Sequence, residues 1–87
     1  MRRRNQFNTM AINVLSAVYA SPNKGVDVTE QCIDLYNNGP TTFKIDPSSF
    51  HIQDPDFGVT KGFTIKYRIG KVTKCKGGKD GDSITLN

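Results

Sequence analysis

The sequence predicts a small all-β domain, an antiparallel β-sandwich or barrel of about six strands with one short helical turn. Two observations lead to this prediction. Short apolar runs alternate with polar residues, and clusters of Gly, Pro, Asn and Asp separate these runs. The 87 residues include 8 glycines and 4 prolines. A chain of this length forms one domain and buries only about 60–65% of its unfolded surface, so its core is small.

The clearest strand signal follows a turn rich in Pro and Gly. Apolar residues alternate with polar ones over residues 63–69, the period-2 pattern of a strand with one buried face. This pattern directs Lys66 and Arg68 to the outer face of the sheet. In the preceding acidic turn, residues 54–58, we interpret Phe57 as an apolar anchor.

The first strand is predicted at residues 11–20. In a regular strand Val14 and Val18 face one side, while Ala17 and Tyr19 face the other, so both sides carry apolar residues. This pattern is typical of a central strand or of one that is covered on both faces.

A short helix is predicted at residues 29–36. Asp27 followed by Glu30 resembles a capping box, and apolar residues recur behind it at helical spacing. The Asn-Asn-Gly-Pro run at residues 37–40 ends the helix. The other predicted elements are strand segments at residues 26–28, 41–46, 71–75 and 83–87, a loop or strand fragment at 50–52, and a turn region at 76–81.

The net charge of +4 conceals an uneven distribution of charged residues. Residues 5–60 carry two Lys and six acidic residues, whereas residues 61–87 carry seven Lys or Arg and two acidic residues. Such asymmetry favours either head-to-tail association between copies or binding to an anionic partner. Solvated lysines on exposed strand faces are the simpler explanation of the basic half.

The chain opens with a basic polar arm, residues 1–9, before a single β-sandwich domain at residues 10–87. Arg2, Arg3 and Arg4 give the arm its charge. The opening also resembles a secretory signal, with an Arg-rich start, an apolar run and a small-residue cleavage pattern. Polar residues interrupt that run, so we prefer to interpret it as the first strand. No run approaches the ~18–20 apolar residues of a membrane span.

No catalytic or metal-binding constellation is recognisable in the sequence. Cys32 and Cys75 permit one disulfide but also fit two reduced thiols, so their pairing stays open. The two cysteines and His51 lack the spacing of zinc ligands. Asp80 and Asp82 supply too few oxygens for an EF-hand. The sequence therefore predicts no enzyme, no metal and no cofactor.

Several short motifs occur in a recognisable order. They are an apolar strand at residues 12–19, Val-Asp-Val-Thr at 26–29, Asp-Pro at 54–55, and then Gly58, Lys61 and Tyr67. In this order the chain resembles the C-terminal domain of certain mitochondrial DnaJ-like proteins. Ala20 stands where that family usually has Gly, and no J-domain is present in the sequence. The resemblance implies a small β-rich interaction module.

The functional hypothesis is a non-enzymatic protein-interaction module, a structural subunit that assembles with other copies of itself. The small core, the arm and the opposite charges of the two halves favour this hypothesis. The arm would lie along the sheet edge of a neighbouring copy and bring its arginines to an acidic counter-surface. That counter-surface is predicted at Asp27, Glu30 and Asp34.

Two alternative functions remain open. Arg2, Arg3 and Arg4, extended by Lys66 and Arg68, would bind nucleic acid or another polyanion through phosphate contacts. No aromatic residue alternates with Lys66 and Arg68, so the stacking platform of single-strand binders is missing. The other alternative is a glycan-binding β-sandwich that uses its Asn- and Asp-bearing loops, but the sequence has no Trp for stacking.

Overall fold

A computed structural model of the protein describes residues 12–37 and 42–87. In these residues the chain forms two antiparallel sheets, one short α-helix and one 3₁₀ helix, which confirms the predicted all-β fold. The two sheets stay separate, so the described residues form a sandwich and not a closed barrel. The elements are β1 (Ile12–Ala20), β2 (Gly25–Asp27), α1 (Thr29–Asn37), β3 (Thr42–Lys44), the 3₁₀ helix (Pro47–Phe50), β4 (Gly62–Ile69), β5 (Val72–Lys79) and β6 (Ser83–Thr85).

The larger sheet has four strands in the order β2-β1-β4-β5, and β3 pairs with β6 in a second sheet. All these strand pairs are antiparallel. The core lies between the inner face of the larger sheet and a layer that β3, β6 and α1 form. On the outer face of the larger sheet, the side chains of β4 are exposed to solvent.

Aromatic rings connect the layers of the core. Phe50 is fully buried, and its ring centroid lies 5.4 Å from that of Tyr19, 5.6 Å from that of Phe43 and 5.3 Å from that of Phe63. Centroid separations of ~4.5–7 Å are typical of attractive aromatic pairs. Phe50 therefore joins the loop before β4 to both sheets.

β4 is the strand that the alternating pattern predicted. Phe63, Ile65 and Tyr67 are buried, and the residues between them are exposed. Lys66 and Arg68 accordingly lie on the outer face, as predicted. β1 and β5 pair with β4 on its two sides, so β4 is central in the larger sheet.

β1 departs from the regular alternation that the sequence suggested. Its register with β4 shifts between Val14 and Ser16, which marks a β-bulge. The bulge turns Val14 to the same side as Ala17 and Tyr19, and all three are buried. Val18 lies on the outer face and is 46% exposed. The prediction that Val14 and Val18 share a face was wrong. A bulge inserts one residue that has no partner on the neighbouring strand, so the residues after it change face.

β5 runs through the segment where the sequence predicted a turn. Residues 76–79 continue the strand, and the chain reverses after them, where Gly81 has a φ of 94°. The glycines before this reversal serve close packing. A Cβ at Gly77 would lie 2.9 Å from the Phe63 carbonyl oxygen, and a Cβ at Gly78 would also be crowded. The turn prediction for residues 76–79 was wrong. Gly77 and Gly78 are needed because neighbouring atoms leave little room for a Cβ, and not because the backbone has a positive φ there.

α1 begins where the sequence predicted it. The Asp27 carboxylate accepts hydrogen bonds from the backbone N–H of Thr29 at 2.9 Å and from its hydroxyl at 2.6 Å. The Thr29 hydroxyl oxygen also accepts a hydrogen bond from the N–H of Ala17 at 2.9 Å. At Ala17, β1 therefore forms a hydrogen bond with the first residue of the helix and not with a neighbouring strand. Val28 and Cys32 fix the helix in the core, where both are fully buried.

The connection between β3 and β4 contains the 3₁₀ helix instead of the strand fragment considered for residues 50–52. Asp46 caps this helix by accepting hydrogen bonds from the N–H and the hydroxyl of Ser48. His51 ends the helix with a left-handed φ of 57° and is exposed. The helix brings Phe50 into the core, as the sequence analysis expected for this segment.

The two cysteines are unbonded and lie on opposite sides of the larger sheet. Cys32 is fully buried in the core, whereas Cys75 is exposed beside Lys66 on the outer face. Burial raises the pKa of the Cys32 thiol to about 12. A disulfide between these residues would have to cross the sheet, which answers the question that the sequence left open.

Candidate functional site

A buried lysine lies at one end of the sandwich, directly before β4. Lys61 is 3% exposed. Its Nζ lies 2.6 Å from Asp54 Oδ1 and 3.8 Å from Asp80 Oδ2, and it donates a hydrogen bond to the Asp56 carbonyl oxygen at 3.0 Å. A buried ammonium group needs such partners because they replace its water. Lys61 therefore joins the loop of residues 54–61 to the turn between β5 and β6.

Hydrogen bonds from β1 and the turn after it extend this network. The Tyr19 hydroxyl donates to Asp80 Oδ1 at 2.5 Å, across 61 residues of sequence. The Ser21 hydroxyl donates to Asp56 Oδ2 at 2.7 Å, across 35 residues. We call this set the Lys61 network; its members are Tyr19, Ser21, Asp54, Asp56, Lys61 and Asp80.

Hydrogen bonding and burial shift the pKa values in the Lys61 network. The hydrogen bond with Lys61 holds the pKa of Asp54 below its ordinary value of 3.8, and the same contact raises the pKa of Lys61. Burial, followed by the hydrogen bond to Asp80, raises the pKa of Tyr19 well above its ordinary value of 10.0. At neutral pH Lys61 is therefore a cation, Asp54 is an anion and Tyr19 is a neutral donor.

These protonation states give the network a structural role. A protonated lysine has no free electron pair, so Lys61 is not poised as a nucleophile or a base. Among residues 12–37 and 42–87, no group of three or more His, Cys, Asp or Glu side chains could hold a metal ion. What the network does is fix the position of the loop before β4.

That loop presents an aromatic side chain to solvent. Phe57 is 91% exposed, and its neighbour Val59 is 38% exposed. The N–H of Val59 donates to the Asp56 carbonyl oxygen at 3.1 Å, and Gly58 has a φ of 83°. These features define a β-turn with glycine where a positive φ is required. The interpretation of Phe57 as the anchor was wrong, because Phe50 earlier in the loop fills the core instead.

The basic residues predicted on the outer face belong to a hairpin of uniform charge. We call residues 62–79, which comprise β4, β5 and the turn between them, the basic hairpin. It contains six Lys or Arg and no acidic residue. Lys66 and Arg68 are exposed on its outer face. Lys74 and Lys76 donate hydrogen bonds from Nζ to backbone carbonyl oxygens of the last three residues, at 2.9 and 2.5 Å.

The predicted acidic counter-surface is divided between β2 and α1. Asp27, Glu30 and Asp34 are exposed at the start of α1 and along it. Asp27 is engaged in capping the helix. Glu30 and Asp34 are four residues apart and therefore share one side of the helix. Asp27 pairs with Val18 and therefore faces the same side of the larger sheet as Lys66 and Arg68, whereas Glu30 and Asp34 lie on α1 in the other layer of the sandwich.

The predicted N-terminal arm lies outside the described residues, as do Arg2, Arg3 and Arg4. The contacts that the sequence analysis assigned to the arm therefore stay predictions. The same is true of its expected approach to the acids of a neighbouring copy.

The Lys61 network was not predicted, although the sequence contains one signal for it. Residues 61, 63, 65 and 67 share one phase of a period-2 pattern. A lysine in phase with the buried Phe63 points inward, and a buried lysine requires an acidic partner. In the sequence analysis Lys61 served only as part of the family resemblance and as one more basic residue of the second half.

No family model, curated protein or solved structure matches this chain. None of the helices in the described ranges combines the length and the apolar character that crossing a membrane takes. Proposals about function therefore rest on the surfaces and contacts described above.

Proposed function

We propose that this protein is a non-enzymatic interaction module that associates with other copies of itself. The observation that carries the proposal is the separation of opposite charges on the folded chain. The basic hairpin has six positive side chains and no acid. The loop of residues 45–60 has three acids and no Lys or Arg, and further acids are exposed on α1. Complementary surfaces of this kind favour association of one copy with the next.

The edge of the larger sheet supports the same proposal. β5 is an edge strand of eight residues, and its outer side pairs with no described strand. An edge strand offers unpaired backbone groups to another chain, but lysines along it oppose the pairing of two identical edges. The favoured partner of the basic hairpin is therefore an acidic surface of a neighbouring copy.

A contact between two different surfaces is heterologous. Each copy then carries one basic surface and one acidic surface, so copies add in one direction and form rings or open chains. The exposed Lys66 and Arg68 are the residues that we assign to the basic side of this contact. Glu30 and Asp34 on α1 were the acids expected on the other side.

Sedimentation velocity at low and high salt tests the proposal. Charge-driven association should weaken as the Debye length falls from about 10 Å at 0.1 M to about 3 Å at 1 M. We expect assemblies at low salt that dissociate at high salt. Reversal of Lys66 and Arg68 to Glu should abolish them, whereas the same double reversal at Lys24 and Lys44 should not weaken them. A chain that stays monomeric at low salt contradicts the proposal.

The N-terminal arm is a separate part of the proposal. A variant that starts at Met10 lacks the three arginines of the arm. If the arm bridges copies, this variant should form smaller assemblies than the full chain at the same concentration. Assemblies of equal size would show that the arm has no such role.

Binding of nucleic acid or another polyanion is the second candidate function. The uninterrupted positive charge of the basic hairpin favours it, because phosphate contacts by Lys and Arg supply non-specific affinity. Retention on heparin that decreases after reversal of Lys66 and Arg68, in a chain that is monomeric at low salt, would favour this function over self-association.

A further inference from the structure

We infer that the turn of residues 56–59 is the element that docks one copy on the basic hairpin of the next. We call it the Phe57 turn. The inference rests on the proposed self-association and names the acidic surface that takes part in it. That surface is the loop before β4 and not the helix α1.

The Phe57 turn concentrates exposed apolar side chains. Among the described residues four large apolar side chains are exposed, and two of them, Phe57 and Val59, lie on this turn. An exposed aromatic ring of this kind is the usual centre of a protein contact, since its burial removes a large apolar area from water. The exposed acids Glu30 and Asp34 lie on α1, which contributes none of these four exposed apolar side chains.

The Lys61 network holds the Phe57 turn in one position. Asp56 accepts a hydrogen bond from Ser21 through its side chain and one from Lys61 through its carbonyl oxygen. Its N–H donates to Asp54 Oδ1 at 2.9 Å. A docking loop that is already ordered loses little conformational entropy on binding. The network therefore gives an exposed phenylalanine a defined direction.

The basic hairpin offers a matching acceptor. Val72 is 56% exposed and is the exposed large apolar residue of the hairpin. It follows the exposed Lys71, and the exposed Lys74, two residues further along β5, lies on the same face of the strand. A ring packed on Val72 would bring the partly exposed carboxylate of Asp54, in the loop that carries the ring, towards these cations. The charges and the exposed apolar side chains therefore both favour contact between the Phe57 turn and the basic hairpin.

The two elements lie at opposite ends of β4. Lys61 and its loop precede the first residue of the strand, and Val72 follows the turn after the last one. Eight residues of strand span roughly 26 Å. One copy therefore cannot dock its own Phe57 turn on its own Val72, and the contact has to join two copies.

Two variants, each with one damaged surface, test the inference. Phe57→Ser removes the docking ring, and Val72→Glu removes the acceptor and adds a like charge. Both positions are exposed, so thermal unfolding followed by circular dichroism should show folded proteins. In sedimentation velocity each variant alone should associate at least about tenfold more weakly than the unaltered chain.

An equimolar mixture of the two variants gives the decisive result. Phe57→Ser keeps an intact acceptor and Val72→Glu keeps an intact docking turn, so the mixture should form a dimer of one copy each and no larger species. A mixture that stays monomeric, while each variant alone is folded, overturns the inference. That result would indicate a symmetric contact that needs the same residue from both copies.

Val18→Thr is the matched control, because Val18 is also an exposed valine but lies on β1. This change should leave association as it is. If Val18→Thr weakens association and Val72→Glu does not, the acceptor assigned here is wrong. If the unaltered chain associates and Phe57→Ser has no effect, the inference fails while the proposed function stands. If the unaltered chain never associates, both fail.

Discussion

The two ends of β4 are built in different ways. At the end that begins with Gly62, side chains from distant parts of the sequence hold a long loop in place through the Lys61 network. At the other end, Gly70 and Lys71 reverse the chain within two residues, and Gly70 has a φ of 60°. The first end depends on ion pairs and hydrogen bonds between side chains, whereas the second depends on backbone conformation.

The difference shows which changes each end can tolerate. Side-chain substitutions should destabilise the end with the Lys61 network, because each member supplies the hydrogen bond or ion pair that another member needs. At the hairpin end, side-chain substitutions should change stability little, whereas replacement of Gly70 should reduce it.

The largest effect is expected for Phe50→Ala in the loop before β4. The change removes a fully buried ring that contacts three other aromatic side chains, so it should lower the free energy of unfolding by about 3–5 kcal/mol. Urea denaturation measures this loss. Phe57→Ala in the same loop is the control and should leave stability nearly unchanged, because Phe57 is 91% exposed. Equal losses for the two variants would contradict the described loop.

Lys61→Met should have the next largest effect. It keeps the volume of the side chain but leaves the carboxylates of Asp54 and Asp80 without their cation. Thermal unfolding should show a clear decrease in Tm. Lys71→Met, at the hairpin end, removes an exposed lysine and should shift Tm little. A Lys61 variant as stable as the Lys71 variant would mean that the network does not hold its end of the sandwich.

Stability should decrease at acidic pH because of the carboxylates that the fold stabilises in their charged form. The pKa of Asp54 is lowered from 3.8, so its contribution is complete above that pH and disappears as the pH falls through the lowered value. Asp27 and Asp46, whose pKa values are lowered by hydrogen bonds to Thr29 and Ser48, add to this loss. Urea unfolding between about pH 5 and about pH 1 measures it.

The variant Asp54→Asn shows how much of the acid dependence of stability comes from Asp54 and how much from Asp27 and Asp46. Because the variant has no charge to lose at this position, its stability should change less with pH than that of the unaltered chain. An unchanged acid dependence would show that the ion pair with Lys61 does not contribute to it.

The smallest effect is expected for Gly70→Ala at the hairpin end. An alanine at a positive φ costs about 1 kcal/mol because its Cβ crowds the backbone. Gly62→Ala is the matched control, since Gly62 has no positive φ and the nearest atom to an added Cβ is 3.7 Å away. The control should be neutral or slightly stabilising, and urea denaturation compares the two.

The hairpin end was predictable from sequence because its determinants are local. The alternation at residues 63–69 fixed the inward and outward faces of β4, and Lys66 and Arg68 lie where it put them. The helix start at Thr29 followed from the capping chemistry of Asp27. Each of these predictions needed only neighbouring residues.

The features that sequence analysis missed depend on residues far apart in the chain. The bulge in β1 is visible only in its register with β4, and the crowding at Gly77 comes from Phe63 on the neighbouring strand. The Lys61 network joins residues that are up to 61 positions apart. No local pattern identifies such partners, although the inward phase of Lys61 showed that it needed one.

The hydrogen bond between Tyr19 and Asp80 also has a consequence for the folding kinetics. Contacts between residues 61 positions apart form after local ones, because closing a long loop costs entropy. Interactions that form after the transition state slow unfolding and leave the folding rate nearly unchanged. We therefore expect the Lys61 network to act mainly on the lifetime of the native state, and so on how long Phe57 stays presented once the chain has folded.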